Sequence, residues 1–224
     1  MSLVTWQDLC IDALDVGAQS RFWSAVGGLE VADPADPDRL SGPTPRHTVW
    51  VNQVDRPHRV KNRLHLDVDC ASVDDLVALG ATVLAPSSET GFAWTVLADP
   101  EGNEFCGFER GADKVPDYRL HGVAIDCADP EHLAQWWGEL FGAAPTRDPQ
   151  GDWWTLTGVA VDDRMTLDFG PVPEPRTEPN RLHWDVVGRA EELLARGATH
   201  LWDQPQWTVL ADPEGNEFCV FPPS

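Results

Sequence analysis

Apolar and polar residues alternate in several short runs along the chain. Near the start, Leu9, Ile11 and Ala13 lie on one face while Asp8, Cys10 and Asp12 lie on the other, the period of two that a half-buried strand requires. The pattern returns where Leu64, Leu66 and Val68 alternate with His65, Asp67 and Asp69. Elsewhere the period becomes helical. Asp129 can cap a helix whose first residue is Pro130. Leu133, Trp136, Trp137, Leu140 and Phe141 then form an apolar stripe that Gly142 can terminate. A shorter helix is predicted after Ser72, with Ser72 and Asp75 as a capping box, Leu76 and Leu79 toward the core, and Gly80 closing it. His47 to Val54, rich in Val, Trp and Thr, reads as a further strand.

The chain also repeats itself. Trp94–Cys106, WTVLADPEGNEFC, returns letter for letter as Trp207–Cys219. Asn62-Arg63-Leu64-His65-Leu66-Asp67 returns as Asn180-Arg181-Leu182-His183-Trp184-Asp185, Ile11-Asp12 as Ile125-Asp126, and Phe22-Trp23 as Trp136-Trp137. Such internal similarity marks a duplicated structural unit. It divides the chain into a first domain at 1–110, a polar linker with Gly and Pro at 111–117, and a second domain at 118–224. Within each domain the order strand, helix, strands runs twice, which predicts an α+β fold of four such units. Asp99-Pro100-Glu101-Gly102 has the residues a tight turn needs, so turn chemistry accounts for the DPEGN segment without catalysis.

Composition narrows the partners. A formal charge of −21 and only 16 basic residues leave little with which to bind phosphate backbones or anionic membranes. No apolar run approaches the ~20 residues of a membrane span, and the start of the chain lacks a basic-then-apolar signal pattern. A cytoplasmic protein is expected. Five cysteines, an odd number, argue against a disulfide framework. Eleven tryptophans supply core, and some can wall an apolar ligand pocket. No Ser-His-Asp order, phosphate loop, CxxC or HExxH occurs.

The order β-α-β-β-β taken twice per repeat, with a His on the second unit's first strand and a final DPxGN hairpin, resembles the vicinal oxygen chelate superfamily. That group holds glyoxalases, bleomycin-resistance proteins and extradiol dioxygenases. Lys61–Asp67 and Asp99–Cys106 carry the likeness, with Asn180–Asp185 and Asp212–Cys219 in the second repeat. The resemblance implies paired units whose sheets curl into a cup, either within the chain as an internal pseudo-dimer or between two chains of a homodimer. It also implies four metal-ligand positions per cup. In the first repeat these fall on Asp8, Gln53 (or Asn52 if the register slips), His65 and Cys106, the last where metal-binding relatives carry Glu. In the second they fall on Gly122, near Asp168, on His183 and on Cys219. His121 shares parity with Val123 and Ile125, the core-facing set, and is not counted.

Cys and His are zinc ligands, but one His beside Gln and Cys is far from a facial triad. The expectation is therefore a cup without cofactor that holds a small organic ligand, as a binding protein or a metal-independent enzyme. Asp12, Asp67, Asp126 and Asp185 join the candidate lining, and a His–Asp pair two apart on one strand can serve acid–base chemistry. The alternative is one divalent metal (Zn, Fe, Mn or Ni) held by His65 or His183, with Glu104 or Glu217 as substitute ligands, in a lyase, isomerase or dioxygenase. A third class, a scaffold, predicts a cup filled by side chains such as Trp. Cys10, Cys70 and Cys127 read as isolated, and His47, His58, His132 and His200 as loop or surface residues.

Overall fold

The structure, a computed structural model, describes residues 2–33, 35, 37–149 and 151–223. Four units of one build follow each other. The first runs β1 (Thr5–Ala13), α1 (Val16–Gly27), β2 (Glu30–Val31), β3 (Arg39–Ser41) and β4 (Val49–Gln53). The second runs β5 (Leu64–Cys70), α2 (Val73–Ala78), β6 (Thr82–Ala85), a short α3 (Ser87–Thr90), β7 (Thr95–Ala98) and β8 (Glu104–Glu109). The third runs β9 (Leu120–Cys127), α4 (Pro130–Phe141), β10 (Thr146–Arg147), β11 (Trp154–Leu156) and β12 (Thr166–Pro171). The fourth runs β13 (Leu182–Val187), α5 (Ala190–Leu194), β14 (Thr199–Asp203), β15 (Thr208–Ala211) and β16 (Glu217–Phe221).

These units do not pair within their own repeat. Sheet A is eight-stranded in the order β14-β15-β16-β13-β1-β4-β3-β2, and sheet B follows as β10-β11-β12-β9-β5-β8-β7-β6. Each sheet joins the first unit of one repeat to the second unit of the other. At the seams, β1 runs antiparallel to β13 with Leu9 opposite Trp184 and Ile11 opposite Leu182. In sheet B, β5 runs antiparallel to β9 with Leu64 opposite Ile125 and Leu66 opposite Val123. The boundaries at 110 and 118 mark the duplication of sequence, while the folded halves straddle them.

One face of each sheet closes over a single core. α4 follows β9 in sheet B, yet its Trp137 meets Trp184 and Phe218 of sheet A, ring centroids 4.8 and 4.9 Å away. α1 follows β1 in sheet A, and its Phe22 and Trp23 meet Phe105 of sheet B. The stripes therefore face both sheets, and the buried residues form one continuous cluster. α4 ends as its sequence dictates: Asp129 accepts from the His132 N–H at 3.1 Å, and Gly142 takes φ 72°. α1 ends at Gly28, whose left-handed φ of 66° closes the helix, and glycine is required there because a Cβ would sit 1.7 Å from the Asp117 carbonyl oxygen. Ser72 caps α2 and Leu76 is buried, but Leu79 is 43% exposed. The helix stops at Ala78, so Leu79 lies beyond the buried face. His47 also departs from expectation. It ends a 3-10 turn, Pro45–His47, and is buried, with Thr44 Oγ1 2.7 Å from its Nδ1 and Tyr118 edge-on to its ring.

The repeated hairpins do more than turn. Asp99 accepts from the N–H groups of Glu101 and Asn103, and Asp212 from those of Glu214 and Asn216, as the turn residues dictate. The glutamates then reach across. Glu101, in sheet B, accepts from the N–H groups of Leu14 and Asp15 where β1 leaves sheet A. Glu214, in sheet A, accepts from Ala128 and Asp129 where β9 leaves sheet B. No helix among the described residues is long and apolar enough to cross a membrane.

Two outcomes follow. Glu101→Ala and Glu214→Ala each leave two N–H groups without a protein acceptor and should cost about 1 kcal/mol apiece by urea denaturation, roughly additively. A fragment of residues 1–110 lacks the partner of both seam strands and should be unfolded or dimeric by analytical ultracentrifugation; a stable folded monomer would contradict the cross-repeat sheets.

Candidate functional site

The face of each sheet turned away from the core is polar, and the exchange of halves decides which candidates meet. In cup A, on sheet A, β1 contributes Asp8, Cys10 and Asp12, β4 contributes Trp50 and Asn52, β13 contributes His183 and Asp185, and β16 contributes Cys219. Cys10 stands opposite His183, Asp185 beside Cys219, and Asp12 beside Asn52. Cys10 Sγ donates to Asp185 Oδ2 at 3.5 Å, and Cys219 Sγ lies 3.6 Å from His183 Nε2. Asp8 Oδ2 accepts from Trp50 Nε1 at 3.3 Å. The two thiols flank β13 on strands two apart, about 9–10 Å between backbones, which is too far for a disulfide.

In cup B, on sheet B, β5 contributes His65, Asp67 and Asp69, β9 contributes Gly122 and Asp126, β12 contributes Asp168, and β8 contributes Cys106. The Asp67 carboxylate lies over Gly122, where a Cβ would come 3.0 Å from its Oδ2. Asp168 accepts from Thr155 at 2.6 Å and from Thr166. His65 Nε2 is 2.8 Å from the Asn62 carbonyl oxygen, and Lys61 pairs with Asp126. Trp153 covers Gly170, with ring atoms 2.4 Å from where a Cβ would stand.

Several sequence expectations are thereby corrected. Asp8, His65 and Cys106 do not share a cup: Asp8 joins His183 and Cys219, while His65 and Cys106 join Asp168. Gln53 belongs to neither cup. Its Nε2 donates to the Leu14 and Val54 carbonyls at 2.7 and 3.0 Å, because the register puts Asn52, not Gln53, beside Asp12. Cys10 is not isolated; its shared parity with Asp8 and Asp12 was the available signal. His121 does face the polar side. A bulge opposite Asp67 and Val68 turns it out, and its Nδ1 stands 3.3 Å from Asp69. No periodicity in the sequence marks that bulge. Glu104 and Glu217 anchor loops, accepting from the backbone N–H groups of Asn62 and Asn180.

Burial sets the charge states. It pushes His183 down to about 4, Asp185 up to about 7, and the thiols of Cys10 and Cys219 upward. Asp12 rises to about 6, burial outweighing the pull of Arg181. In cup B, burial and then the neighbouring Asp168 raise Asp67 to about 8. Desolvation disfavours each charged form, and a second carboxylate adds to it.

The donors of cup A can be tested against a metal. Cys10, His183 and Asp185 offer atoms that all lie within 4.8 Å of one another, the single such group among the described residues. Asp185 Oδ1 is buried without a hydrogen bond; His183 Nε2 approaches it at 3.5 Å without the alignment a bond needs. Thiolate, imidazole and carboxylate are all zinc ligands, so this set fits a zinc-type ion. Cup B has Ala124 at the place of Cys10 and its His is engaged by a carbonyl, so it does not fit.

The model of the glyoxalase-like domain family matches residues 8–108 and again 122–221. The chain belongs to the glyoxalase-like domain family. With it comes membership of the vicinal oxygen chelate superfamily, and two copies of the domain match the two repeats. Glyoxalase I from Zea mays has a similar fold, with TM-score 0.65, 13% identity, and 98% of this chain and 92% of that one covered. A putative dioxygenase from Bacillus subtilis gives TM-score 0.62 at 12% identity over 99% and 86%. At these identities the likeness is one of fold. A comparison with curated proteins finds no match.

The raised carboxyls fix a pH dependence. Asp67 is held neutral in the folded state, so its contribution is present at low pH and is lost as pH rises through about 8. Asp67→Asn should therefore raise the melting temperature most above pH 8 and little at pH 5. His183 acts in the opposite sense: its neutral form is favoured, and that stability is lost as pH falls from its unfolded value toward about 4.

Proposed function

We propose that this glyoxalase-like protein holds a small organic molecule in cup A, as a binding protein or as an enzyme that needs no metal. The difference between the cups at equivalent positions carries the reading. Cup B is covered by Trp153 on Gly170, and its His65 is engaged by Asn62. In cup A, Asn52 stands at the place of Gly170, and the segment before β3, residues 32–38, contains no aromatic residue. His183 is more exposed than His65 and turns its Nε2 to Cys219. Trp50 lines one side, and Trp207 stacked on Phe221 at 5.2 Å lines the other. Aromatic walls around a few polar groups suit a small organic ligand. A neutral imidazole beside a carboxyl titrating near neutrality can accept, donate or move a proton. Five unpaired cysteines fit a cytoplasmic setting.

A second reading rests on the Cys10, His183 and Asp185 cluster. It is a lyase, isomerase or dioxygenase in which these residues hold one divalent ion, zinc by ligand type, and the ion when bound supplies Lewis acidity to a substrate oxygen.

Tryptophan fluorescence against a panel of aromatic compounds, with metal analysis of untagged protein, separates these readings. Saturable quenching should persist in His65→Ala and weaken at least tenfold in His183→Ala. One zinc per chain, lost in His183→Ala, would move the conclusion to the second reading. Equal losses in both variants would overturn the assignment to cup A.

A further inference from the structure

The loops that join the units of each repeat, 54–63 and 172–181, face one another across a cavity of about 380 Å³ whose lining includes neither His183 and Asp185 of cup A nor His65 and Asp67 of cup B. Arg56, Arg59, Lys61, Arg63, Arg176 and Arg181 line it, six of the chain's 16 lysines and arginines, against the carboxylates of Glu174 and Glu178. On a chain of net charge −21 this concentration runs against the composition. Gathering like charges costs stability unless anions answer them.

Protein carboxylates answer only some. Lys61 pairs with Asp126, Arg176 with Glu217, and Arg181 with Glu101. Arg59 and Arg63 form no ion pair among the described residues, and Arg56 acts only at longer range, on Asp12. Arg63, only 8% exposed, donates to the Glu174 carbonyl of the opposite loop, and Arg181 donates to the Arg56 carbonyl in return. The loops are thus laced together by reciprocal arginines. Arg181, also 8% exposed, keeps a buried Nε with no acceptor. Pro57, Pro175 and Pro179 restrict φ along both walls, so the cations are held apart before any ligand arrives. Guanidinium forks suit the oxygens of phosphate and carboxylate groups.

We propose that this cavity binds a small oligoanion, a compound carrying two or more phosphate or carboxylate groups, at a site distinct from the His183 and His65 clusters of the cups. The cavity has the size of a small-molecule site, and its cations approach from two opposed loops, which favours a ligand with two separated anionic ends.

Isothermal titration of the full chain with pyrophosphate and with citrate tests this. Saturation at one site per chain is expected with at least one of them, weakening as salt is raised. The exposed pair Arg56→Ala/Arg59→Ala should lower affinity at least tenfold, and Arg59→Glu further, without lowering the melting temperature of the free protein. The tighter of the two probes assigns phosphate or carboxylate chemistry. No saturation with either probe, or full affinity in the double variant, would overturn the proposal. His183→Ala should leave this affinity intact, so the cup A reading and this one fail separately.

Discussion

The antiparallel pairing of β1 with β13, and of β5 with β9, obliges each repeat to give half of itself away. A unit of one helix and a few short strands has too little apolar surface to stand alone. Here the two central strands of every sheet come from different repeats. The helices then lie between sheets they do not both belong to, and Trp137 against Trp184 and Phe218 makes the two sheets one core. Glu101 and Glu214 fasten the same junction from outside, each holding the backbone where the other sheet's seam strand ends.

That arrangement fixes where chemistry can occur. The seam puts Cys10 opposite His183 and His65 opposite Ala124, so two cups built on one plan acquire different contents. Cup A gathers a thiol, an imidazole and a carboxyl around an unpaired oxygen. Cup B gathers carboxyls, and burial with Asp168 beside it raises Asp67 to about 8, so that this carboxyl keeps its proton at neutral pH. A buried acid of this kind specifies geometry at some cost in stability, as perturbed groups at functional sites commonly do.

The local pattern of the fold was legible. Alternation located β1 and β5, the Asp129–Gly142 signals bounded α4, and the repeated segment fixed the hairpins. The partner of each strand was not legible, because a period of two states which face is buried and nothing about which strand lies alongside. Hence the sequence pattern groups His65 with Asp8, whereas the strand order sets it with Asp168. Asn52 and Gln53 show how narrow the margin is, since one residue of register exchanges the two faces. A bulge turns His121 to the polar face against its parity, and a tight turn buries the polar ring of His47 against Tyr118. In each case tertiary geometry overrides the local pattern.

The exchange of halves within one chain has a further consequence. In a symmetric dimer of a shorter chain, every substitution would be written into both cups at once. Here Trp50 and Asp168, beside Cys10 and Ala124 at matching places, are encoded separately. A change that spoils one cup need not touch the other. Two repeats on one chain make two independently adjustable compartments, so one keeps its polar cluster while the other closes under an indole ring.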